Sequence, residues 1–591
     1  MRLYLFPILF FLALPLYADE PRTVKLTLSP ETTYLTEPLL PDGRIDYLTV
    51  LNEQLSAQTT PENNLLVGVF SLVPGEQEHA LLRIMVEENK EGEEHVQKYR
   101  EQFSRMVGLD VPPPLDSLIG LSPGTLPTKN YEKELLEVYS KEELAPMIEQ
   151  QREKERNRIK SRLDAGRITQ EEYDAEIKKI ESEIPDWYFR HIVEDQFYES
   201  LRHPWTAEEY PYLAQWIERT NDLAVKLIDI ARQRTGYYHP LISESSGWFY
   251  DIVLPYVQSL RMAARHFQCR SNFEFARGNL DEAMECSFVS VRMGRTVRKG
   301  APTLVEDLVG IAMHGMGTYQ LTTQLAILPQ DKDSAWILQK KQEFDAIEAE
   351  IGSLPWLPMW CLAERFGGLT LIQQIAMEPK AAEEFYFKWV FEGVDEEHAA
   401  RVRELFFSGK EYDWDEILRR ANFFYDDLED VYLLPNWQRR HKAAERFEQR
   451  LQEYQQIGDA SPEQQAVAHL VGNYIIPSVK PVVIALARAE WETRIASVAF
   501  ALAAYRADNG GDSPDTLAQL VPKYLESVPD SPFTDKPLRY IKRQNDVLIA
   551  NDDEYQLDGS EEEIEKRIAE ERAGGRVYPS SKHFIFVVSK F

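Results

Sequence analysis

The sequence predicts a mainly α protein, an irregular helical bundle or solenoid that ends in a small C-terminal α/β module. Three observations carry this. From residue 205 to residue 509 apolar side chains return at three- and four-residue spacing, the mark of amphipathic helices. From residue 491 to residue 540 that pattern runs into Asp508-Asn509-Gly510-Gly511, then a short leucine-bearing helix, a Pro-rich turn and a strand. The composition, 43% apolar and 28% charged, suits a folded chain. Its 591 residues are enough for several cores.

Residues 1–18 form a secretory signal pattern. Arg2 supplies a positive start, residues 3–16 an apolar stretch, and Ala18 a small residue at the cleavage position, ahead of Asp19-Glu20. The apolar stretch falls short of the roughly 20 residues a membrane helix needs, and Pro7 and Pro15 weaken it further. No Cys follows it, which argues against a lipid anchor. Cleavage after Ala18, export to the periplasm or cell envelope, and no membrane span after signal removal are expected.

Residues 19–128 form a mixed N-terminal region. Residues 23–28 alternate like a strand, residues 45–55 and 79–86 have helical spacing, and prolines at 112–114 and 123–127 mark a loop boundary. Residues 129–184 read as a charged helical hairpin. Ala165-Gly166 stops one helix, and Thr169-x-x-Glu172 is a capping-box start for the next, on which Tyr173, Ile177 and Ile180 share a face. So thin an apolar stripe predicts a projection whose removal leaves the body folded while weakening capture of a partner, and this hairpin and the grooves between helices at 205–325 are the expected interaction surfaces.

Residues 185–472 form the helical body. Trp216, Leu223, Leu227 and Ile230 recur along one helix, and Ile252, Tyr256, Leu260, Ala263 and Phe267 along the next. Gly278-Asn279, Gly300 and Pro302 punctuate two more, at 280–297 and 303–325. Residues 473–591 hold a long helix and the α/β module. Trp491, Ile495, Val498, Leu502 and Tyr505 mark the helix's buried stripe, while Lys480, Arg488, Glu490, Glu492 and Arg494 exclude a membrane span. Asn509-Gly510-Gly511 ends it, and residues 516–521 make a short helix. Four prolines, from Pro522 to Pro537, shape a loop before strands at 538–542, 547–550 and 583–589, the last preceded by an acidic helix at 561–571.

The formal charge of −31, from 97 acids against 66 bases, disfavours a phosphate backbone, so no nucleic-acid partner is expected. Three cysteines, Cys269, Cys286 and Cys361, exclude a disulfide framework or a multi-Cys metal centre. Cys269 and Cys286 flank the Gly278 turn at similar distances, so an antiparallel helix pair sets them at similar heights. Either they are bridged or, the favoured reading, they are two small apolar residues in a helix seam.

No H-E-x-x-H, G-x-S-x-G, phosphate-loop, dinucleotide-loop or calcium-loop pattern occurs. His314-Gly-Met-Gly317 reads as a packing histidine among small residues rather than a phosphate loop. His398, His441 and His469 are dispersed. Trp356 and Trp360, set among Pro355 and Pro358, edge a groove or cap a core. Glu364-Arg365 suits a buried ion pair at a helix end or, less readily, a catalytic carboxylate. Asn551-Asp552-Asp553-Glu554 with Asp558 offers oxygen donors for calcium, but a solvated acidic turn is favoured. No catalytic residue is assigned, and no cofactor or metal is expected.

Residues 163–180, L-D-A-G-R-I-T-Q-E-E-Y-D-A-E-I-K-K-I, resemble the short helical-hairpin module of many bacterial proteins. Residues 273–288, F-E-F-A-R-G-N-L-D-E-A-M-E-C-S-F, resemble a tetratricopeptide-type helix junction, with no repetition elsewhere at about 34 residues. Residues 501–540, A-L-A-A-Y-R-A-D-N-G-G-D-S-P-D-T-L-A-Q-L-V-P-K-Y-L-E-S-V-P-D-S-P-F-T-D-K-P-L-R-Y, resemble the periplasmic domain of type II secretion major pseudopilins. Tyr505, Asp508, Gly510, Pro514, Leu517, Leu520, Leu525, Pro529, Asp530, Pro532 and Phe533 take that family's places. The resemblance implies a pseudopilin-like α/β fold, with the acidic loop where that family often holds calcium. The chain departs from the family in lacking a prepilin-type cleavage motif and an apolar membrane-spanning half to the long helix.

D-G-R-I-D-Y-L-T-V-L-N-E from Asp42, T-P-E-N-N from Thr60, H-P-W-T-A-E-E-Y-P-Y-L-A-Q-W-I from His203, G-N-L-D-E-A from Gly278 and the helix after Pro302 follow in order along the chain. With the pseudopilin-like end, they resemble a group of large exported bacterial proteins without assigned activity. The expected function is that of an exported interaction or scaffold protein whose partner is another envelope or exported protein. The alternative is an envelope hydrolase whose site assembles only in three dimensions. A deep pocket with two or more ionisable groups of strongly displaced pKa marks the alternative, and a broad groove without them marks the first reading.

Overall fold

A computed structural model describes residues 24–57, 59–72, 98, 101–108, 130–182, 184–243, 249, 252, 254, 257–329, 332–350, 358–385, 396–455, 461–470, 479–542, 546–550 and 585–589. The signal-like segment, the helical stretch at 79–86, the proline loops at 112–114 and 123–127, Trp356, the acidic loop at 551–558 and the acidic helix at 561–571 lie outside them.

Polar side chains set many of the helix starts. Asp46 caps α1 (Tyr47–Ser56) and Asn64 caps α2 (Leu65–Phe70), each accepting a first-turn backbone N–H. Asn130 does the same for α3 (Tyr131–Leu136). Ser140 and Glu143 close a capping box on α4 (Lys141–Asp164), and Thr169 and Glu172 exchange the same bonds ahead of α5 (Gln170–Ser182). Three helices follow: α6 (Asp186–Ser200), α7 (Pro211–Arg219) and α8 (Asn221–Gln233). An extended strap, residues 235–243, then leads toward α9 (Val257–Ala276).

The centre of the molecule is α9, α10 (Leu280–Gly300) and α11 (Leu304–Ala326), the last capped by Thr303. The chain continues through α12 (Ser334–Glu350), α13 (Met359–Met377), α14 (Pro379–Phe385) and α15 (Glu396–Val402), which runs on into a π-helical turn at Arg403–Phe407. Next come α16 (Trp414–Leu433), α17 (Trp437–Gln455), α18 (Pro462–Leu470) and α19 (Val479–Asp508). Gly510 and Gly511 have φ of +64° and +89°, a conformation that side chains with a Cβ resist, so the helix stops there. A 3-10 turn at Leu517–Leu520 precedes strands β1 (Arg539–Lys542), β2 (Asp546–Ala550) and β3 (Ile585–Ser589). They form an antiparallel sheet in the order β1-β2-β3, with Ile549 opposite both Tyr540 and Phe586. The described chain is thus mostly helical.

Three large apolar clusters hold it together. The first joins α1, α2 and Phe103 to α8, α9, α13 and α16. The second joins Met284, Phe288, Leu321 and Phe344 to α19, Leu517, Phe533 and Val547. The third joins Tyr131, Leu135, Tyr139 and Leu144 to α6, α7 and Phe273. Trp491, Ile495, Val498 and Leu502 are all buried and Tyr505 is half-buried, as their spacing predicts. At the end of α19, Asp508 accepts hydrogen bonds from Lys523, Ser334 and Tyr524, which together hold its carboxyl at about 2.

Several expectations change. Residues 24–28 alternate half-buried and exposed but pair with no strand among the described residues. Val24, Leu26 and Leu28 pack on the first cluster, and the Thr27 N–H donates to Asp415 Oδ1 at 2.9 Å. An extended chain lying on helices shows the same two-residue period as a strand in a sheet. The helix expected from Ile252 begins at Val257. The charged hairpin does not simply project, because Tyr131, Leu135, Tyr139 and Leu144 at its root belong to the third cluster. Removing all of 129–184 would uncover Phe189, Ile192 and Val193, so only the outer parts of α4 and α5 are dispensable to the core.

Candidate functional site

Two signature stretches far from the helical body converge on the strap. Asn52, from D-G-R-I-D-Y-L-T-V-L-N-E, donates Nδ2–H to the Leu241 carbonyl at 2.8 Å, and its Oδ1 accepts the Leu241 N–H at 2.8 Å. Asn64, from T-P-E-N-N, donates to the Tyr238 carbonyl at 3.0 Å while its Oδ1 caps α2 through the Leu66 N–H. Gly236 donates to the Asn63 carbonyl at 3.0 Å and accepts the Leu65 N–H at 2.8 Å. An extended segment inside a helical body needs partners for its backbone, and these asparagines supply them.

So held, the strap presents two rings to α11. Glu306 Oε1 lies 2.7 Å from His239 Nδ1 and accepts the Tyr237 hydroxyl at 2.8 Å, while Oε2 accepts the Thr303 hydroxyl at 2.8 Å. The next residue, Asp307, accepts Arg298 Nε–H at 3.0 Å and Trp360 Nε1–H at 2.9 Å. Two turns on, His314 Nε2 lies 3.1 Å from Glu348 Oε1 and 3.3 Å from the Thr493 hydroxyl. Burial raises the Glu348 pKa, but the His314 hydrogen bond and the charges of His314, Arg295 and Arg298 outweigh it and hold the carboxyl below its usual range. These polar groups tie α10, α11, α12, α13 and α19 together.

A carboxylate orienting a histidine is a familiar catalytic arrangement. Here the side chains of His239 and Glu306 are both 0% exposed, so no substrate atom can reach the pair. Solvent instead meets a groove of about 440 Å³ lined by the cap residue Asp46, by Thr49, Asn52, Glu53 and Ser56 of α1, and by Tyr238 and Leu241 of the strap. A second depression, of about 380 Å³, lies over α16 and the end of α17, where Phe423 is 57% exposed beside Arg419, Arg420 and Tyr454. Burial raises the Tyr238 phenol in the first groove to about 12 and the Tyr454 phenol in the second above its usual range, while the displaced acid–base candidates His266 and Glu364 line neither. Burial, with Arg270 nearby, pushes His266 down to about 3, and burial pushes Glu364 up to about 7.

The residues singled out from sequence fall as follows. His314 is a buried packing histidine within α11, as expected. His441 stacks on Trp437 at 4.6 Å, and His469 lies against Phe406. His398 falls in α15, its side chain outside the described set. Trp360 is fully buried, edge-on to Tyr432, so it caps a core and edges no groove. Glu364 and Arg365 sit inside α13 rather than at a helix end and do not pair with each other. Arg365 reaches across to Asp426 at 2.7 Å and Glu429 at 3.0 Å, beneath the Tyr34 ring, because the guanidinium leaves α13 on the side of α16. The cysteines are free and buried. Cys269 Sγ accepts the Ser200 hydroxyl at 3.1 Å, and burial pushes its thiol up to about 12. Among the described residues no group of His, Cys, Asp and Glu is placed to hold a metal, and no helix is long and apolar enough to cross a membrane.

Sequence reasoning missed His239, Glu306 and Asp307. One available signal was Thr303-x-x-Glu306, a capping-box spelling directly after Pro302. Comparison with protein-family models, curated proteins and solved structures finds no match.

Proposed function

We propose that the chain is an exported helical interaction or scaffold protein of the cell envelope, engaging another envelope or exported protein. The observation that carries this reading is the separation of chemistry from access. The Glu306–His239 pair is sealed, and neither His266 nor Glu364 lines a solvent-facing depression, where the large displacement is that of the Tyr238 phenol, pushed up to about 12 by burial. The sequence adds the signal-like start at residues 1–18. The run from α19 through Gly510, the 3-10 turn and the three strands supports reading the C-terminus as a pseudopilin-like α/β module. Charged residues along α19 speak against a filament subunit.

The test is covalent capture in envelope extract with mature protein carrying a photo-crosslinker at Thr49 or Phe423, followed by mass spectrometry. A partner enriched at one of these positions, and not with a crosslinker on α5 at Lys178, supports the reading. Enrichment without positional preference counts against it. N-terminal sequencing of the envelope form should begin at Asp19, and a form beginning at Met1 removes the cleaved-signal claim.

Glu364 keeps the hydrolase alternative specific, since a carboxyl near 7 can act as a general acid or base at neutral pH. Turnover of an envelope polymer by the purified protein, lost in Glu364→Gln, would replace the binding reading.

A further inference from the structure

The groove beside α1 runs along the face where the helix meets the strap. Asp46, Thr49, Glu53 and Ser56 follow one another along it at helical spacing, and Asn52, which holds Leu241, lines it too. Tyr238 and Leu241 supply an apolar floor, and their backbone is fixed by Asn64 and Asn52, so the groove is preformed.

Its charge has one sign. The charged side chains among its described lining are Asp46 and Glu53, both acids. Glu53 is exposed and enters no side-chain hydrogen bond or ion pair among the described residues. Asp46 accepts the Thr49 N–H and hydroxyl and meets no cation there. The nearby Arg44 is 2% exposed and turned to Asp42 and Glu378. The depression over α16 differs, because Arg419 and Arg420 are already paired with Glu416.

We propose that this groove docks an extended basic segment of the partner protein, in which Lys or Arg alternates with apolar residues. Resting on the interaction reading above, it names where the partner binds and with what chemistry. In an extended chain successive side chains point to opposite sides, so apolar residues face Tyr238 and Leu241 while cations reach Asp46 and Glu53. The groove's carboxylates draw such a segment in and set its register.

The experiment titrates a fluorescein-labelled decapeptide of alternating Lys and Leu, and its Glu-Leu twin, against the mature full-length protein. The groove variant is Asp46→Asn with Glu53→Lys, since Asn retains the helix cap. A control variant, Asp174→Asn with Glu171→Lys, makes the same charge change on exposed α5. The native protein and the control should bind the basic peptide alike. The groove variant should bind about tenfold more weakly, and the acidic twin not at all. Ser56→Trp, which fills the groove without changing its charge, should weaken binding too. Equal binding by native protein and groove variant, equal loss in groove and control variants, or full binding by Ser56→Trp overturns the proposal. If the partner captured from envelope extract stays bound to the groove variant, this site is wrong while the interaction reading stands.

Discussion

Asn52→Ala tests whether the strap is held by side-chain amides. The native amide makes two bonds of 2.8 Å to one residue, Leu241, which is 2% exposed. Truncation leaves a buried N–H and a buried C=O without partners, and each costs about 1–3 kcal/mol. If water enters from the adjacent groove and recovers part of this, a net local cost of about 2 kcal/mol remains, equivalent to about thirtyfold in the opening equilibrium. Hydrogen exchange of peptides covering residues 235–243 reads that equilibrium directly. Exchange there should accelerate by about thirtyfold or more, while peptides from α10 and α11 keep their protection. Asn52→Asp should fare no better, since it keeps the acceptor for the Leu241 N–H but sets a carboxylate against the Leu241 carbonyl. Exchange in the strap unchanged within about threefold, with the fold intact, would refute the reasoning.

Four further outcomes are expected. Leu502→Ala, at a position 1% exposed in the second cluster, should destabilise by about 2–5 kcal/mol in denaturant titration. Gly294→Ala should cost about 1–3 kcal/mol, because its Cβ would press on the His314 backbone nitrogen and lie 2.6 Å from the Gly310 carbonyl oxygen, forcing α10 from α11. Gly166→Ala, with open space but a φ of +67°, should cost only about 1–2 kcal/mol. Glu364→Gln should flatten the pH dependence of the urea midpoint. With the folded carboxyl near 7 and an ordinary value of 4.5, the unfolded chain releases its proton first as pH rises, so native stability falls across that window. An equal slope in wild type and variant would exclude Glu364 as its source.

Helix positions were legible because their signals are local. Thr303, Thr169-x-x-Glu172, Gly278 and Gly510-Gly511 each act within a turn of the boundary they set. The stripe from Trp491 to Leu502 was legible because one helical face carries it. What escaped was long-range polar pairing. Asn52 and Leu241 are 189 residues apart, and Glu306 and His239 are 67 apart. Nothing in the residues around an asparagine says whether its amide meets water or a distant backbone. Residues 24–28 failed for a related reason, since their period of two reflects half-burial on helices rather than a ladder.

The buried polar groups also bear on what the surface can do. An apolar seam between α10 and α11 would tolerate sliding by a turn, because one leucine contact resembles the next. Arg298 with Asp307 admits a single register there, and His314 with Glu348 does the same between α11 and α12, since a shift would leave polar groups buried without partners. Glu306 extends that constraint to the strap through Tyr237 and His239, and the strap extends it to α1 through Asn52. The groove's floor and wall are therefore fixed by the same network that seals the Glu306–His239 pair from solvent. A surface fixed before its partner arrives loses little conformational freedom on binding, so modest contacts suffice for a stable complex. Rigidity alone would serve an active site equally well. The distinction lies in where the ionisable groups were placed: the pairs hold helices in register, while Glu53 in the groove beside α1 meets no cation among the described residues.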